Sequence, residues 1–182
     1  MPTTIVFTDK NTVEIQSYTP PPLDEGELLI RTEFSGVSQG TEIWALQGRR
    51  RELSFPTVPG YQGVGIIEQV GPGVTGFAEG QRVLYHRSRL PEQFTDTWMG
   101  GHVSHVVSPT QGDPPPRQVP EGVNPAAASL GAMPAVSLRG VDMLDLCPND
   151  VVVVTGLGLI GQAAAALARL RGAIVIASDL HP

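Results

Sequence analysis

The chain is poor in cysteine, in charge and in long apolar runs, and each shortage excludes a class of protein. Cys147 is the single cysteine among 182 residues, which excludes an intramolecular disulfide framework and a thiolate zinc cluster. Charged residues make up 16%, the net charge is −6 and there is no basic block, so neither nucleic acid nor an anionic membrane is the expected partner. No run approaches the roughly 18 apolar residues of a membrane span.

The N-terminal sequence MPTTIVFTDKNTVEI also lacks the basic start and apolar core of a signal peptide. Hydrophobic residues reach 41%, which is typical of a chain that forms a core. We therefore expect a globular, cytoplasmic protein.

Residues 1–123 have the pattern of short strands between turns. The runs TTIVFTD, TVEIQSY, GELLIRTEFSGVS, GVGIIEQVG, GQRVLYH and HVSHVVSP are spaced as in a small barrel. Residues 86–100 are predicted to form a loop. The proline-rich segment GDPPPRQVPEGVN cannot form a regular helix and marks a domain boundary, which separates residues 1–123 from residues 124–182. Helix formers follow it, and we expect Pro134 to divide or kink that helical region.

A glycine-rich turn between a strand and a helix is the most specific feature of the sequence. Residues 151–155 form a β-branched run, an alanine-rich segment follows the turn, and a second apolar run leads to Asp179. An acidic residue about 20 positions beyond the first glycine completes the dinucleotide fingerprint GxGxxG. The turn consists of Gly156, Leu157, Gly158, Leu159, Ile160 and Gly161.

Each part of this fingerprint has a physical task. Gly156 permits the tight turn, Gly158 lets a pyrophosphate approach the backbone, and Gly161 lets the helix pack close to the strand. The helix N-terminus offers N–H groups and partial positive charge to the phosphates. Asp179 would accept hydrogen bonds from ribose hydroxyls and repel a 2′-phosphate, which favours NAD over NADP. The alternative is an ordinary buried strand–turn–helix with incidental glycines.

The sequence ends at Pro182, where only β–α–β of a fold with about six strands has been supplied. Apolar strands of a parallel sheet need neighbours and covering helices. We therefore expect the front part of a longer, truncated protein, and an oligomer that covers the strand edges is the alternative.

Four segments occur together along the chain: GELLIRTEFSGVSQGTE, VPGYQGVGIIEQVGPGV with FAEGQRV, GGHVSHVVSP and VVVVTGLGLIG. In their order and spacing they resemble the medium-chain dehydrogenase/reductase superfamily, which is alcohol dehydrogenase-like. The resemblance implies an α/β plus β fold, with a GroES-like β-barrel domain over residues 1–123 and the start (β-α-β) of an incomplete Rossmann fold over residues 124–182. It also implies NAD-linked hydride transfer on a small alcohol or carbonyl substrate.

The zinc ligands of this family are missing from the chain. The family's cysteine falls within residues 35–38, which read SGVS, and its Gly-His-Glu triplet corresponds to Gly60-Tyr61-Gln62. The third ligand would lie near residues 131–133, where no Cys, His, Asp or Glu stands. Zinc needs about three such protein ligands in a catalytic site. The resemblance therefore implies a zinc-independent branch, similar to the one that includes bacteriochlorophyllide dehydrogenase.

Without zinc, a hydroxyl or phenol must polarise the substrate oxygen and move the proton. By position, the candidates are Ser38, Thr41 and Tyr61, with Gln62 as a neutral orienting donor. In the family a Ser or Thr just after the cysteine begins the proton relay, and either Ser38 or Thr41 could fill that place.

Each candidate also has a purely structural interpretation. Thr41 and Glu42 could cap a helix that begins at Ile43, and Tyr61 could simply pack at a strand end. His102 and His105 are three apart in a strand-like segment and face opposite sides, so they are interpreted as surface or barrel-packing residues.

The leading hypothesis is thus an NAD(P)-dependent, zinc-independent oxidoreductase. The alternative is a catalytically inactive, truncated or degenerate relative that acts as a binding module, and we expect weak or no turnover from the 182 residues alone.

Overall fold

Antiparallel pairing organises the first part of the computed structural model, which describes residues 1–94, 100–112 and 114–180. The strands are β1 (Thr3–Asp9), β2 (Thr12–Ser17), β3 (Glu27–Ser35), β4 (Gly63–Val70), β5 (Arg82–Tyr85), β6 (His105–Pro109) and β7 (Arg117–Gln118). β1 and β2 form a hairpin, and the other five form one sheet in the order β6-β3-β4-β5-β7.

The six strands predicted for this region are confirmed, because alternation of apolar and polar residues is a local signal. β7 was not predicted, since it lies in the proline-rich segment at residues 112–124. The loop predicted over residues 86–100 falls partly on residues 95–99, which lie outside the described residues.

The core of this region lies between the hairpin and the sheet. Isolated bridges join β1 to residues outside its hairpin, from Thr4 to Val103 and from Phe7 to Thr57. The fully buried side chains come from β1, β3, β4, β5 and β6 and include Val6, Leu28, Ile30, Ile67, Val83, Tyr85 and Val106. Burial of a side chain of this size stabilises the fold by about 1.5–3 kcal/mol relative to exposure.

Two short helices belong to the first of the two compact units into which the chain divides, which ends at Leu130. α1 (Gln39–Leu46) begins immediately after Ser38. α2 (Pro125–Ala128) is capped by the Asn124 side chain, whose Oδ1 accepts from two backbone N–H groups, and it packs against β3 and β4.

The second unit begins at Gly131 and contains one parallel βαβ arrangement. Its elements are α3 (Ala132–Asp142), β8 (Val151–Thr155), α4 (Leu159–Leu170) and β9 (Ile174–Ser178). α4 packs against both strands and α3 packs against α4. The strand–helix–strand pattern expected from the sequence is therefore present.

The expected division of this helical region is present, since α2 ends at Ala128 and α3 begins at Ala132, which puts Pro134 in the first turn of α3. The N–H groups of a first turn have no partner within the helix, so a proline there removes no helical hydrogen bond. In the part of the chain that the structure describes, no helix has the length and apolar character needed to cross a membrane.

Candidate functional site

The glycine turn connects β8 to α4 by a conformation that only glycine adopts without strain. Gly156 has a φ of 90°, and its N–H donates to the carbonyl of Ser178 at the end of β9 over 2.8 Å. Gly158 is the N-cap residue of α4, where no side chain caps the helix and the first turn has no acidic residue. No carboxylate within the first turn of α4 therefore competes for its amide groups.

The other two glycines are needed for different reasons. A Cβ on Gly161 would lie 1.8 Å from the carbonyl oxygen of Gly156, so this position lets the helix approach the turn. A Cβ on Gly158 would meet nothing within 4 Å. The open space in front of Gly158 is what a ligand at this backbone requires.

Asp179 follows β9 and reaches the glycine turn. Its Oδ2 accepts a hydrogen bond from the Leu157 N–H over 2.5 Å. The turn is also held from the helix side, because Gln162 Nε2 donates to the Leu157 carbonyl over 2.7 Å. Gly156–Gly161 and Asp179 thus lie together, with Leu159 and Ile160 exposed at the start of α4.

Among the candidates for proton transfer, the structure brings Ser38 and Thr41 together. The two hydroxyl oxygens are 3.3 Å apart at the start of α1. Ser38 is the N-cap residue, and its backbone N–H donates to Glu42 Oε1 over 3.0 Å. The helix therefore begins at Gln39, and the expectation that it starts at Ile43 is wrong, because Glu42 reaches back one full turn to satisfy the N-cap amide.

Tyr61 and Gln62 lie on the neighbouring segment. The backbone carbonyl of Gln62 accepts from the Gly36 N–H over 3.0 Å, and its side chain is fully buried. Tyr61 is half-buried and packs against a small cluster that contains Phe7 and Ala45. This packing is that of the structural alternative.

Of the two interpretations of His102, as a surface or as a barrel-packing residue, the structure confirms the second. The residue is 7% exposed, its Nδ1 lies 2.9 Å from Ser35 Oγ, and its Nε2 lies 2.9 Å from Glu42 Oε2. We call Ser35, His102 and Glu42 the Ser–His–Glu chain. His105, by contrast, is half-buried and contacts Ser104 Oγ and Glu68.

Backbone contacts fix the position of His102. Its N–H donates to the carbonyl of Pro59 over 2.9 Å, and its carbonyl accepts from the Ile5 N–H over 3.1 Å. Gly60, at a φ of 85°, makes room for the imidazole, since a Cβ there would come within 2.6 Å of the ring. No local pattern in the sequence predicts the Ser–His–Glu chain, because Ser35 and His102 are 67 residues apart.

Within the described residues, no group of three or more His, Cys, Asp or Glu side chains is arranged to hold a metal ion. Gly131 precedes α3, and Met133 is buried within that helix.

Residues 24–112 match the family model for the alcohol dehydrogenase GroES-like domain. An alcohol dehydrogenase of Geobacillus stearothermophilus is 26% identical over 200 residues, which cover 99% of this chain and 58% of that protein. L-galactonate-5-dehydrogenase of Escherichia coli (strain K12) is 30% identical over 175 residues, which cover 87% of this chain and 50% of that protein.

The fold is also shared with solved structures. An alcohol dehydrogenase from Thermus sp. ATN1 matches with a TM-score of 0.81 at 23% identity, over 96% of this chain and 57% of that one. The chain spans about half the length of the curated relatives that it matches. The chain is therefore similar to alcohol dehydrogenases and related dehydrogenases, with a match to the GroES-like domain at residues 24–112.

Proposed function

We propose that the protein is an NAD(P)-dependent oxidoreductase that transfers a hydride between a nicotinamide cofactor and an alcohol or carbonyl substrate without catalytic zinc. The observation that supports this most directly is the meeting of the Asp179 carboxylate with the glycine turn, held by the Leu157 N–H. The named relatives are dehydrogenases of alcohols, which favours the same reaction class.

The residues of the glycine turn fit a dinucleotide. Open space in front of Gly158 admits a pyrophosphate, and the amide end of α4 has partial positive charge to offer it. The nicotinamide of the bound cofactor accepts or donates the hydride. Gly156 and Gly161 contribute indirectly, because they set the close approach of helix and turn on which the open space depends.

Asp179 favours NAD over NADP in this proposal. Its carboxylate can accept hydrogen bonds from the two ribose hydroxyls of NAD, whereas a 2′-phosphate would bring negative charge against it. Its exposed position at the end of β9 leaves the carboxylate accessible to such a ligand.

Proton movement at the substrate oxygen is assigned to the hydroxyl pair of Ser38 and Thr41. Two hydroxyls at 3.3 Å can pass a proton, since each both donates and accepts. Tyr61 is the alternative donor. Gln62 is assigned the role of a neutral donor that orients the substrate. Its side chain is buried next to Gly36, and its backbone carbonyl accepts from the Gly36 N–H.

The absence of catalytic zinc is proposed from ligand chemistry. Residues 35–38, Tyr61 and Gln62 correspond by resemblance to the family's cysteine segment, histidine and glutamate, and neutral hydroxyl and amide oxygens are poor substitutes for a thiolate and an imidazole. Elemental analysis of the purified protein is expected to find no zinc in stoichiometric amount. One zinc per chain would contradict this part of the proposal.

Cofactor binding is tested by titration of the chain with NADH and with NADPH, followed by cofactor fluorescence and calorimetry. We expect NADH to bind more tightly than NADPH. Asp179→Asn should weaken NADH binding and reduce the ratio of NADH to NADPH affinity about tenfold, since it removes one charge at the ribose. Asp150→Asn is the matched control, because Asp150 also accepts a backbone N–H in the second unit, from Cys147 over 2.8 Å. Tighter binding of NADPH, or equal effects of the two substitutions, would argue against the assignment.

A further inference from the structure

A polar pocket lies in the first unit beside the start of β3 and the end of β6, and it shares no residue with the sites described above. Its volume is about 450 Å³, within the range of about 300–1,000 Å³ that is typical of small-molecule sites. The polar lining comes from Glu25, Thr75, Thr110 and Gln111, and the apolar part comes from Phe77 and Pro109.

Hydrogen bonds at Gly26 join the three chain segments that line this pocket. The Gly26 N–H donates to the Pro72 carbonyl over 2.8 Å, and the Gly26 carbonyl accepts from the N–H and from the hydroxyl of Thr110, each over 2.8 Å. Gly73 has a φ of 74°, and a Cβ there would lie 3.0 Å from Glu25 Oε1. The Glu25 side chain therefore lies against the bare backbone of Gly73, which leaves the pocket open in front of both residues.

The hydrogen bond from the Thr110 side chain determines what the pocket offers to a ligand. A carbonyl oxygen only accepts, so the Thr110 hydroxyl proton is directed to Gly26, and Oγ1 has only lone pairs left for a further group. An ionised Glu25 carboxylate also only accepts. The two groups therefore require a donor, which excludes carboxylates, phosphates and carbonyl compounds as ligands of these two oxygens.

The charge of Glu25 narrows the class of donor. Its neighbours Asp24 and Glu27 both form ion pairs with Arg89, at 3.3 and 2.6 Å. Among the residues that the structure describes, no cation forms an ion pair with Glu25 itself. A ligand that carries positive charge together with N–H groups would satisfy Glu25 and Thr110 at once.

We propose that this pocket binds a primary alkylammonium group, which donates to the Glu25 carboxylate and to Thr110 Oγ1. An ammonium has three donors and no acceptor, and the side-chain oxygens of Thr75 and Gln111 are available for its third N–H. Phe77 and Pro109 supply apolar surface for the alkyl chain. The site is separate from cofactor binding and hydride transfer, so its failure would leave the proposed function untouched.

Butylammonium and butyltrimethylammonium test the proposal, because they share the alkyl chain and the charge and differ in the N–H donors. The chain is titrated with each near neutral pH, and its amide resonances are followed by NMR. We expect saturable shifts at Gly26, Gly73 and Thr110, with butylammonium binding about fivefold more tightly, as one additional hydrogen bond provides. Absence of saturable shifts at these residues, or equal affinities of the two probes, would overturn the proposal.

A third probe, Nα-acetyl-lysine N-methylamide, identifies the source of the ammonium. It carries the same ammonium and four-carbon stem as butylammonium, attached to a peptide backbone. Binding as tight as that of butylammonium supports the proposal with the lysine side chain of a partner protein as the ligand. Weaker binding than that of butylammonium supports it with a free amine as the ligand.

Two variants separate the charge of the site from its hydrogen bonds. Glu25→Gln removes the charge and is expected to weaken both butyl probes about fivefold. Thr110→Val removes the hydroxyl acceptor and keeps the backbone N–H, so it should weaken butylammonium and leave butyltrimethylammonium unchanged. If the spectrum of Thr110→Val shows that it does not fold, Glu25→Gln, which changes an exposed side chain, still decides the role of the pocket.

Glu121→Gln is the matched control for the loss of charge. Glu121 is also an exposed glutamate of the first unit, but it does not line the pocket. Both butyl probes should bind this variant as they bind the wild type. A Glu25→Gln variant that binds both probes as the wild type does, or a Glu121→Gln variant that weakens them as much, would refute the assignment.

Discussion

His102 Nε2 lies 2.9 Å from Glu42 Oε2, and less than one-tenth of either side chain is exposed, at 5% and 9% respectively. His105 and Glu68 form a second such pair, at 3.6 Å, in which the side chains are 24% and 37% exposed. The two pairs have the same residue types and differ in burial. They therefore allow the energetic effect of burial to be measured within one protein.

Removal of the buried imidazole is predicted to destabilise the fold strongly. His102→Ala leaves the Glu42 carboxylate buried with one oxygen unpaired, and we expect the free energy of unfolding to fall by about 3–5 kcal/mol. His105→Ala, at the exposed pair, should cost less than about 1 kcal/mol. Urea denaturation followed by circular dichroism measures both, and similar losses in the two variants would contradict the role given to burial.

An added methyl group is predicted to destabilise the fold much more at Gly161 than at Gly158. Gly161→Ala forces a Cβ against the Gly156 carbonyl, so α4 must shift, and we expect a loss of about 3 kcal/mol in the free energy of unfolding. Gly158→Ala adds a Cβ to open space at a φ of −63° and should cost less than about 1 kcal/mol. Its NADH affinity is nevertheless expected to fall, because the methyl group takes the space assigned to the pyrophosphate.

Denaturation curves and NADH titrations of both variants check this prediction. A stable Gly161→Ala chain would show that the contact with Gly156 relaxes at little cost. An unchanged NADH affinity in Gly158→Ala would place the phosphates elsewhere.

Stability at low pH is predicted to depend on Glu27. The Arg89 guanidinium contacts both Glu27 oxygens, at 2.8 and 2.6 Å, and lowers the pKa of this carboxyl from its usual value of 4.5. A depressed folded-state pKa contributes stability that is complete above the unfolded pKa and is lost as pH falls through the folded pKa. Glu27→Gln should therefore cost about 2 kcal/mol near neutral pH and very little at about pH 2.

Denaturation of the wild type and of Glu27→Gln between about pH 2 and neutral pH tests whether the stability that Glu27 contributes is lost as the pH falls. Glu68→Gln, which removes the partner of Arg31 at an exposed pair, is the control and should cost less than about 1 kcal/mol near neutral pH. If Glu27→Gln lowered the free energy of unfolding by the same amount at all pH values, stability would not depend on the ionisation of Glu27, which would contradict the prediction.

Stability at high pH is predicted to depend on two buried phenols. Burial raises the pKa of Tyr18 to about 12, and it raises the pKa of the more deeply buried Tyr85 further. Tyrosines of the unfolded state ionise near the ordinary pKa of 10.0. The stability that the two protonated phenols contribute is therefore complete below that pH and is lost as pH rises through their folded-state pKa. The free energy of unfolding should fall steadily above about pH 10, and less steeply in Tyr85→Phe.

Tyrosinate absorbance of the folded chain provides an independent measurement. Tyr18 donates to the His105 carbonyl, and Tyr85 donates to the Gly101 carbonyl over 3.0 Å. These two phenols should remain protonated in the folded chain at pH values at which tyrosines of the unfolded chain ionise. Full ionisation of all tyrosines near about pH 10 without unfolding would disprove the prediction.

Local patterns predicted the elements of this protein well. The strands from β1 to β6 follow from alternation between neighbouring residues, and β8, α4 and β9 follow from two apolar runs around a glycine turn. Even the meeting of Asp179 with Leu157 could be expected, because one βαβ arrangement brings the end of its second strand beside the turn after its first. The start of α1 was predicted incorrectly, since it depends on which backbone amides lack a helical partner.

The Ser–His–Glu chain could not be predicted in this way. Antiparallel pairing of β3 with β6 sets Arg31 opposite His105, and the same register brings Ser35, at the end of β3, beside the residues that precede β6. Glu42 then reaches His102 only because α1 begins at Gln39 and places Glu42, buried, in its first turn.

The sequence by itself determined the strands, the glycine turn and the acid that follows it, because each depends on residues within one or two neighbouring elements. Tertiary structure decided which polar side chains are buried together, and it distinguished Gly161, which packing requires, from Gly158, which faces open space. Burial and approach between distant segments depend on strand register and backbone contacts, and no local spacing in the chain specifies them.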